Sequence, residues 1–447
     1  MNYEALFKPY EGRVVRVGLV GAGDFGTSLL AQVQCIPNLE IVVVCDTNLA
    51  QIDAAIASAG VERNAIAAVT SMKDATDVEF DVMVEGTGSP IAAAENAVLA
   101  ISRGQHVVLV SKEGAILVGP ILYRMAQEKG LVYTEVDGDQ PSLLIGLMSW
   151  AKKLGLEIRA AGKASEYDYV LEDDDTLSWQ GQKFPNIGLQ DLWVPDGLSW
   201  SELIEQRNQA VLKAGVPTKT VPDYCEMGVV MNATGFKPDL PALHAPILRT
   251  TELADAFQLV VEGGFMLGKG RIDVFNCLRR PDEASFAGGV FIIVSCEDEN
   301  TWELLRGKGH VVALNTKTAM LYNPQHLLGI EAPITILCAA LLGLPTGAVD
   351  PYPHVDLVAR TSQDFKKGDV LAITNAHHHE VDGLSPELMP AIAIGEGKPC
   401  PYYLAVGQQL VEDVAAGTVL IGSMLALDRS SLLYQLRETQ DDVFGIK

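Results

Sequence analysis

A glycine-rich turn near the start of the chain has the spacing of a dinucleotide-binding loop. The apolar run Val17–Val20 leads directly into a GxGxxG pattern, and a helical pattern follows it. Such glycines permit a tight turn, a close approach of the backbone to a pyrophosphate, and close packing of helix on strand. The first N–H groups of the helix then bind the phosphates, and a glycine turn without a ligand is the alternative. The residues predicted to contact the cofactor are Gly21, Gly23, Asp24, Phe25 and Gly26.

A carboxylate further along the chain bears on the choice of dinucleotide. Asp46 ends the next β-branched run, twenty residues after Gly26. A carboxylate there accepts hydrogen bonds from the ribose 2′-hydroxyl of NAD and repels the 2′-phosphate of NADP. No Arg or Lys follows it within Cys45–Asp53. The sequence therefore predicts NAD as the preferred cofactor, with NADP as the alternative.

Two more predicted strands end in polar residues that should face the same crevice. The carboxyl ends of parallel strands at a topological switch point are where dinucleotides and their substrates lie. Lys112 follows one of these strands and is predicted to be a catalytic residue that contacts ribose or substrate, and a solvated loop lysine is the alternative. The further residues predicted to bind the cofactor at these strand ends are Gly86, Thr87, Gly88 and Ser111.

Hydride transfer at a carbonyl or carbinol needs a group that gives or takes the hydroxyl proton. A lysine in a partly desolvated crevice can serve, because burial lowers its pKa towards neutrality. Lys163, after a predicted strand, is the candidate general acid and base, and a structural salt-bridge lysine is the alternative. Asp139 and Gln140 begin the next helix, where they would orient the lysine or hold substrate hydroxyls. A plain helix cap by Asp139 is the alternative.

Weaker candidates lie later in the chain. Asn232, Thr234 and His244 are predicted to line a substrate pocket, as is His310, and His326 is a further candidate. A structural role is the alternative for each of them. The net charge is −24, so an anionic substrate requires a local positive cluster. We expect Lys112, Lys163 and Lys308 to supply it.

The order of the predicted strands and helices that position these residues changes along the chain. Short β-branched runs alternate with helical patterns through the first part, which predicts a doubly wound parallel sheet in residues 1–145. Residues 146–345 show mixed strand and helix patterns and are predicted to form an α+β substrate domain. The Gly- and Pro-rich stretch Gly343–Pro353 is typical of a linker, and residues 350–447 resemble a small β-rich module. The predicted fold class is α/β.

Composition excludes several classes of partner. Of 447 residues, 48% are hydrophobic and only 33 are Lys or Arg against 57 Asp or Glu, which argues against nucleic acid and anionic membranes. No signal peptide or membrane-spanning segment is evident, and the seven cysteines include no CxxC pair, so the protein is predicted to be cytoplasmic. His377 and His379 have ligand-like spacing, but no second cluster completes a metal site, and none is predicted.

Several motifs resemble a known family. VGLVGAGDFGT, VEGTGSP, VSKEG and GDQP are similar to the homoserine dehydrogenase type of NAD-binding domain. AAGKAS, EMGVVMNATGFKPDLPALHAP, LRRPDEASFAGGVF and YNPQHLLGIEAP resemble the 1-deoxy-D-xylulose-5-phosphate-reductoisomerase-like (DRL-like) oxidoreductases. That resemblance implies a C-terminal SAF domain and a homodimer or higher homo-oligomer. The family's AGK motif matches Lys163, whereas Asp46 departs from the basic residues of its NADPH-using members.

These observations lead to one functional hypothesis and two alternatives. The hypothesis is an NAD(P)-dependent dehydrogenase or reductase acting on the CH–OH group of a small polyhydroxylated acid or sugar derivative. The first alternative is an NADPH-dependent 1-deoxy-D-xylulose 5-phosphate reductoisomerase. The second is a ligand-sensing regulatory protein in which bound nucleotide controls a partner without turnover.

Overall fold

The structure is a computed structural model that describes residues 2–375 and 379–447. Its first sheet contains the strands β1 (Val15–Val20), β2 (Leu39–Cys45), β3 (Ala67–Val69), β4 (Val82–Glu85), β5 (His106–Leu109) and β6 (Tyr133–Glu135). They are all parallel, in the order β3-β2-β1-β4-β5-β6. The strand order reverses beside β1, which is the switch point of a doubly wound sheet. The predicted parallel sheet is therefore confirmed.

Helices cover both faces of this first sheet. The helices of this part are α1 (Tyr3–Phe7), α2 (Asp24–Val33), α3 (Leu49–Ala59), α4 (Pro90–Ser102) and α5 (Lys112–Glu128). Helices α2 and α3 pack on one face, and α4 and α5 pack on the other. The strands are buried on both sides, which explains their continuous apolar runs.

The middle of the chain builds a larger mixed sheet. Its elements are α6 (Gln140–Lys153), β7 (Ile158–Ala164), β8 (Tyr169–Leu171), β9 (Leu177–Trp179), β10 (Gln182–Phe184), α7 (Trp200–Lys213), α8 (Val221–Thr234), β11 (Lys237–Pro238), β12 (Ile247–Leu248), α9 (Leu253–Ala256), β13 (Arg271–Arg279), β14 (Val290–Ser295), α10 (Glu299–Gly307), β15 (Thr318–Asn323) and α11 (Ala332–Leu337). The strand order is β10-β9-β8-β13-β7-β14-β15, and β11 and β12 both pair with β13. Helices α6 and α8 pack on one face, and a cluster rich in phenylalanine covers the other.

The last part of the chain is built mostly from short bridges. It contains β16 (Val355–Thr361), β17 (Leu384–Pro390), α12 (Tyr402–Ala405) and α13 (Leu432–Phe444). Strands β16 and β17 are antiparallel, and isolated bridges such as Arg360–Val419 and Phe365–Val414 extend this small β structure. A small β-rich module was predicted here, and the structure agrees. Its identification as an SAF domain stays a prediction.

The chain returns to the first sheet before it enters the last part. Helix α11 and the π-helical turn Cys338–Leu342 pack into the same core as α2 and α3. The following residues are held firmly, because Gly347 N donates to Thr134 Oγ1 at 2.9 Å and Ala348 N donates to Glu135 Oε2 at 2.8 Å. The expected linker at Gly343–Pro353 is therefore wrong for this stretch, which is part of the packed structure. The domain limits 1–145, 146–345 and 350–447 stay a prediction.

Two contacts of α13 tie the last part to the rest. Pro120 interrupts the hydrogen-bond ladder of α5, and the side chain of Gln440 inserts there: it donates to Leu117 O at 3.0 Å and accepts from Ile121 N at 3.2 Å. On the neighbouring turn lies what we call the arginine–aspartate cluster, Arg437 with Asp356 and Asp441. Arg437 Nε donates to Asp441 at 2.9 Å and Nη2 donates to Asp356 at 2.8 Å.

The structure also bears on the cysteines and on membrane-spanning segments. All seven cysteines are free thiols. Across residues 2–375 and 379–447, no helix combines the length and the apolar composition that crossing a bilayer requires.

Candidate active site

The glycine-rich turn forms a cradle of backbone atoms at the end of β1. Gly21 has φ +95°, and a Cβ on it would clash with the carbonyl of Gly86. A Cβ on Gly26 would clash with the carbonyl of Gly21, so helix and strand approach as closely as predicted. Gly23 caps α2 and has open space around it, where a pyrophosphate would lie. Asp24 is exposed and Phe25 is half-buried in the first turn of α2.

Asp46 lies beside this cradle and supports it. Its Oδ2 accepts a hydrogen bond from Ala22 N at 3.0 Å, and its Oδ1 accepts from Asn48 N at 3.0 Å. Each carboxylate oxygen keeps a second lone pair for a ribose hydroxyl. The free helix end, the open space at Gly23 and this carboxylate together fit a nicotinamide dinucleotide.

The two further strand ends meet as predicted. The turn Gly86–Gly88 follows β4, and Gly88 N donates to Ser111 Oγ at 2.8 Å. Thr87 donates to the buried Glu85 at 2.6 Å. Ser111 therefore holds the turn in place, and Lys112 begins α5 immediately after it. Both strand ends open on the same crevice as Gly21.

Opposite charges meet where the first sheet faces the second. We call Lys112, Lys163, Asp139, Asp223 and Glu226 the lysine–carboxylate cluster. Lys112 Nζ lies 2.5 Å from Glu226 Oε1 and 3.7 Å from Asp139 Oδ1. Lys163 Nζ lies 3.0 Å from Asp223 Oδ1 and is also paired with Glu226 Oε2. Glu226 thus bridges the two lysines, one from each sheet.

The two carboxylates from α8 were missed from the sequence. Asp223 closes a capping box at the start of α8, where it accepts from Thr220 N at 2.9 Å. Glu226 follows three residues later, so both carboxylates lie on one face of the helix, towards Lys163. The available signal was two acids at this spacing in an otherwise apolar segment.

The environment of Lys163 corrects its predicted role. Its side chain is only 2% exposed, and burial alone would lower its pKa. The opposing charges of Glu226 and Asp223 more than offset that effect and raise the pKa above its ordinary value. The charges around Lys163 therefore favour its protonated form, which is opposite in direction to the expected fall of its pKa towards neutrality.

Lys112 is the more accessible lysine of the cluster. Its side chain is 23% exposed, and Asp139 and Glu226 raise its pKa well above the ordinary value against the effect of burial. Glu226 is held as a carboxylate, because the two lysines lower its pKa to about 2 despite its burial. Burial raises the pKa of Asp139, and Lys112 opposes that rise. Of the two carboxyl groups paired with Lys112, Asp139 is therefore the one whose pKa is raised, whereas that of Glu226 is lowered.

Asp139 and Gln140 lie where they were predicted, and a histidine joins them. Asp139 caps α6 by accepting from Gln140 N at 3.0 Å, so the cap and the contact with Lys112 coexist. The ring of His326 and the side-chain nitrogen of Gln140 both approach Gly288, which has φ +68° and no room for a Cβ. The Nδ1 atom of His326 is buried without a hydrogen-bond partner.

The segment carrying His326 also touches the cofactor cradle. Gly329 packs so closely on Phe25 and Leu29 of α2 that a Cβ would clash with their backbone atoms. Gly138 is in similar contact with the carbonyl of Leu328. This segment therefore spans from the predicted pyrophosphate site to the lysine–carboxylate cluster.

The last part of the chain contributes one described histidine to the crevice. His379 Nδ1 lies 3.8 Å from Glu113 Oε1, and its ring faces Gly88. Burial raises the pKa of Glu113 to about 7. His377 lies outside the described residues. Among residues 2–375 and 379–447, no group of three or more His, Cys, Asp or Glu has the arrangement of a metal site.

Three predicted substrate residues make contacts within the protein. Asn232 accepts from His354 N and Val355 N, and Thr234 bonds back to Val230 O within α8. His244 pairs with Asp239 at 2.9 Å and packs edge-on against Phe265. Their assignment to a substrate pocket stays a prediction, because a motif places residues near each other without telling which face they occupy.

The expected third lysine is also in the wrong place. Lys308 and His310 are exposed on the turn after α10, whereas Lys163, Asp223 and Glu226 of the lysine–carboxylate cluster are buried. The charges of Lys112 and Lys163 are matched by carboxylates. The predicted positive focus of three lysines is therefore wrong.

Two family models match separate parts of the chain. The homoserine dehydrogenase NAD-binding domain matches residues 21–134, and the oxidoreductase DRL catalytic domain matches residues 198–332. The second match includes α8 with Asp223 and Glu226. No curated protein matches the chain.

The solved structures that match this chain cover only part of it. The WlbA dehydrogenase from Bordetella pertussis, solved with NADH and UDP-GlcNAcA, is 23% identical over 36% of this chain and 48% of that chain, with a TM-score of 0.28. A myo-inositol dehydrogenase from Corynebacterium glutamicum is 18% identical over 36% and 48%, with a TM-score of 0.27. The 3-ketoreductase KijD10 from Actinomadura kijaniata, solved with NADP, is 17% identical over 36% and 49%, with a TM-score of 0.26.

This chain spans about half the length of each of those structures. The family models carry more weight, because each covers one of the two regions that meet at the crevice. The resemblance predicted from the motifs is confirmed for both regions. Residues 21–134 thus match a homoserine dehydrogenase-type NAD-binding domain, and residues 198–332 match the catalytic domain of the oxidoreductase DRL.

Proposed function

We propose that this protein transfers hydride between a nicotinamide dinucleotide and the CH–OH or C=O group of a small polyhydroxylated acid or sugar derivative. The observation that carries the proposal is the position of Lys112. It begins α5 directly after β5, at the edge of the sheet where dinucleotides and substrates meet, and it remains partly exposed among buried partners. The bound dinucleotide supplies the hydride acceptor or donor.

Lys112 stabilises the oxygen at which charge develops. In the reducing direction, the carbonyl oxygen gains negative charge, Lys112 Nζ donates a hydrogen bond to it, and the protonated carboxyl of Asp139 gives it the proton. In the oxidising direction, the protonated lysine holds the forming alkoxide, and Asp139 accepts the hydroxyl proton. Asp139 suits this role because its buried carboxyl lies 3.7 Å from Lys112 Nζ and burial favours its protonated form.

Lys163 acts through Glu226 and is a positioning residue. It is nearly fully buried, and its two carboxylate partners occupy its ammonium group. By pairing with Glu226 Oε2 it orients the other oxygen, Oε1, towards Lys112 at 2.5 Å. The two lysines therefore divide the role that one lysine was predicted to fill.

Asp46 favours NAD as the cofactor. Its carboxylate already supports the turn through Ala22 N and Asn48 N, and a 2′-phosphate beside it would be repelled. Under this proposal the protein works as a cytoplasmic homo-oligomer, an expectation that gel filtration with light scattering and cell fractionation would examine.

An absorbance screen at 340 nm tests the proposal. The full chain is assayed with NAD and with NADP against polyols, hydroxy acids, sugar phosphates and their oxidised forms. We expect turnover with NAD on a hydroxy acid or sugar derivative. Activity on deoxyxylulose phosphate with a strong NADPH preference would replace the proposal with the reductoisomerase alternative. Tight nucleotide binding with no turnover on any substrate would favour the regulatory alternative.

A further inference from the structure

The lysine–carboxylate cluster leaves little positive charge for an anionic substrate. Lys112 and Lys163 face Asp139, Asp223 and Glu226, so their charges are already balanced. The whole protein has a net charge of −24 and repels anions at long range. If the substrate is an acid, another group near the cluster must hold its charge.

Arg249 differs from the arginines around it. Arg207 pairs with Glu252 at 2.7 Å, and Arg279 pairs with Asp168 at 2.6 Å. Arg249 makes no side-chain ion pair with a carboxylate in the described part of the chain. One of its terminal nitrogens donates to Thr251 Oγ1 at 3.1 Å, whereas its Nε is buried without a partner. A buried donor on a charged group costs free energy unless something accepts from it.

The guanidinium of Arg249 is also held in a fixed orientation. It lies over the ring of Trp193, with 4.8 Å from Cζ to the ring centroid. Such stacking preorganises the planar fork, so less conformational entropy is lost when it binds a planar oxyanion.

Arg249 opens on a cavity whose wall also contains His326. The cavity has a volume of about 530 Å³ and is lined by Arg249, Thr250, Ser285, Tyr322 and His326, among others. This is within the range of small-molecule sites. The ring of His326 also approaches Gly288 beside the side chain of Gln140, which follows Asp139 in the sequence. His326 therefore lies between the cavity and the neighbourhood of Asp139, the group that we propose exchanges the proton.

We infer that Arg249 binds the carboxylate of the substrate and that the substrate is a hydroxy acid or keto acid. A single uncommitted guanidinium matches the single negative charge and the planar fork of a carboxylate. A phosphate dianion would call for a second free cation or a helix N-terminus, and Arg279 in the same wall is already paired. His326 Nδ1 and the hydroxyls of Thr250 and Ser285 then contact the carbon chain. This inference rests on the proposed function and names its substrate class.

Isothermal titration of the full chain saturated with NADH tests the inference. The probes are aldonates of four to six carbons, the alditols of the same length, the alditol phosphates and inorganic phosphate. We expect at least one aldonate to bind, and its matched alditol to bind at least about 50-fold more weakly. Arg249→Leu should weaken aldonate binding to the level of the alditol, and Arg249→Lys should restore part of it.

Arg429→Leu is the matched control. Arg429 pairs with Glu396 at 3.2 Å on the exposed surface of the last part, so its loss should leave aldonate binding unchanged. Thermal unfolding of each variant shows whether it has folded, and Arg249→Lys keeps the test valid if Arg249→Leu does not fold.

Three results would overturn the inference. The first is Arg249-dependent binding of phosphates in place of aldonates, and the second is aldonate binding that survives in folded Arg249→Leu. The third is no binding of any probe at about 10 mM, which is 10-fold above the upper end of the usual range of KM values. Turnover at 340 nm is followed in the same samples. Turnover on neutral polyols would contradict the carboxylate site and leave the proposed function intact. Arg249-dependent aldonate binding without turnover would support the carboxylate site and contradict the proposed function.

Discussion

The lysine–carboxylate cluster at the crevice and the arginine–aspartate cluster of the last part both bury opposite charges, but they use them differently. Arg437 is fully buried and its fork donates to Asp356, Asp441 and the carbonyl of Ile392. In the crevice, the positive charges belong to lysines, and one of these, Lys112, is partly exposed to solvent. An arginine whose N–H donors are all occupied within the protein stabilises the fold, whereas a partly exposed lysine can also donate to a substrate.

The largest expected effect tests whether Lys112 is the group that meets the substrate. Lys112→Ala should lower kcat by about 10³- to 10⁴-fold, because the alkoxide loses its charged donor. NADH binding, measured by fluorescence, should persist. Lys308→Ala, which removes an exposed lysine, is the control and should retain full activity. A normal kcat for Lys112→Ala would show that the partly exposed lysine has no chemical role, and the two clusters would then not differ in function.

The complementary change is made in the arginine–aspartate cluster. Arg437→Met leaves Asp356 and Asp441 buried without their cation, which should lower the free energy of unfolding by about 3–5 kcal/mol. Urea titration measures this loss, and Arg429→Met should change it by less than about 0.5 kcal/mol. Substrate turnover per folded molecule should stay near that of the wild type. If Arg437→Met were as stable as the wild type, full hydrogen bonding of a buried arginine would not indicate that it stabilises the fold.

Glu113 provides an intermediate case, a buried carboxyl beside both Lys112 and His379. Its folded pKa of about 7 lies above the ordinary value of 4.5, so its proton is released more easily in the unfolded chain. Its contribution to stability is therefore present below about pH 4.5 and is lost as pH rises through 7. Glu113→Gln should be more stable than the wild type at pH 8, by at most about 3 kcal/mol, and equal to it at pH 4.5. Unfolding curves across this range would contradict the assignment if the difference were constant with pH.

The smallest expected effect concerns Asp46, whose carboxylate forms no ion pair within residues 2–375 and 379–447. Asp46→Ala removes the acceptor for the ribose hydroxyl and the repulsion of a 2′-phosphate, so the ratio of NADH to NADPH affinity should fall about 10-fold. Fluorescence titration measures both affinities. Asp53→Ala, an exposed aspartate paired with Arg63, is the control. An unchanged ratio would mean that cofactor choice lies elsewhere in the crevice.

The cofactor cradle could be predicted from the sequence because its determinants are local. Gly21, Gly23 and Gly26 act through short-range backbone geometry, and Asp46 ends the very next strand. The parallel sheet follows from the same regular alternation of strands and helices. Each step needs only neighbouring residues.

The lysine–carboxylate cluster could be predicted only in part because its contacts are distant in sequence. Lys163 meets Glu226 across 63 residues, and the pKa of each depends on the other. Burial was foreseen, but the matching carboxylates were not, so the direction of the pKa shift was wrong. Arg249 gave no signal at all, since its importance lies in the partner that it lacks.

The insertion of Gln440 into α5 has a consequence for how the molecule opens. Helix α5 begins with Lys112 and continues through the break at Pro120, which the amide of Gln440 bridges. Fluctuations that detach α13 must therefore release the middle of α5 as well. In native-state hydrogen exchange, the amides of α13 and the amide of Ile121 should exchange as one unit. A ligand that orders the start of α5 should then slow exchange in the last helix of the chain.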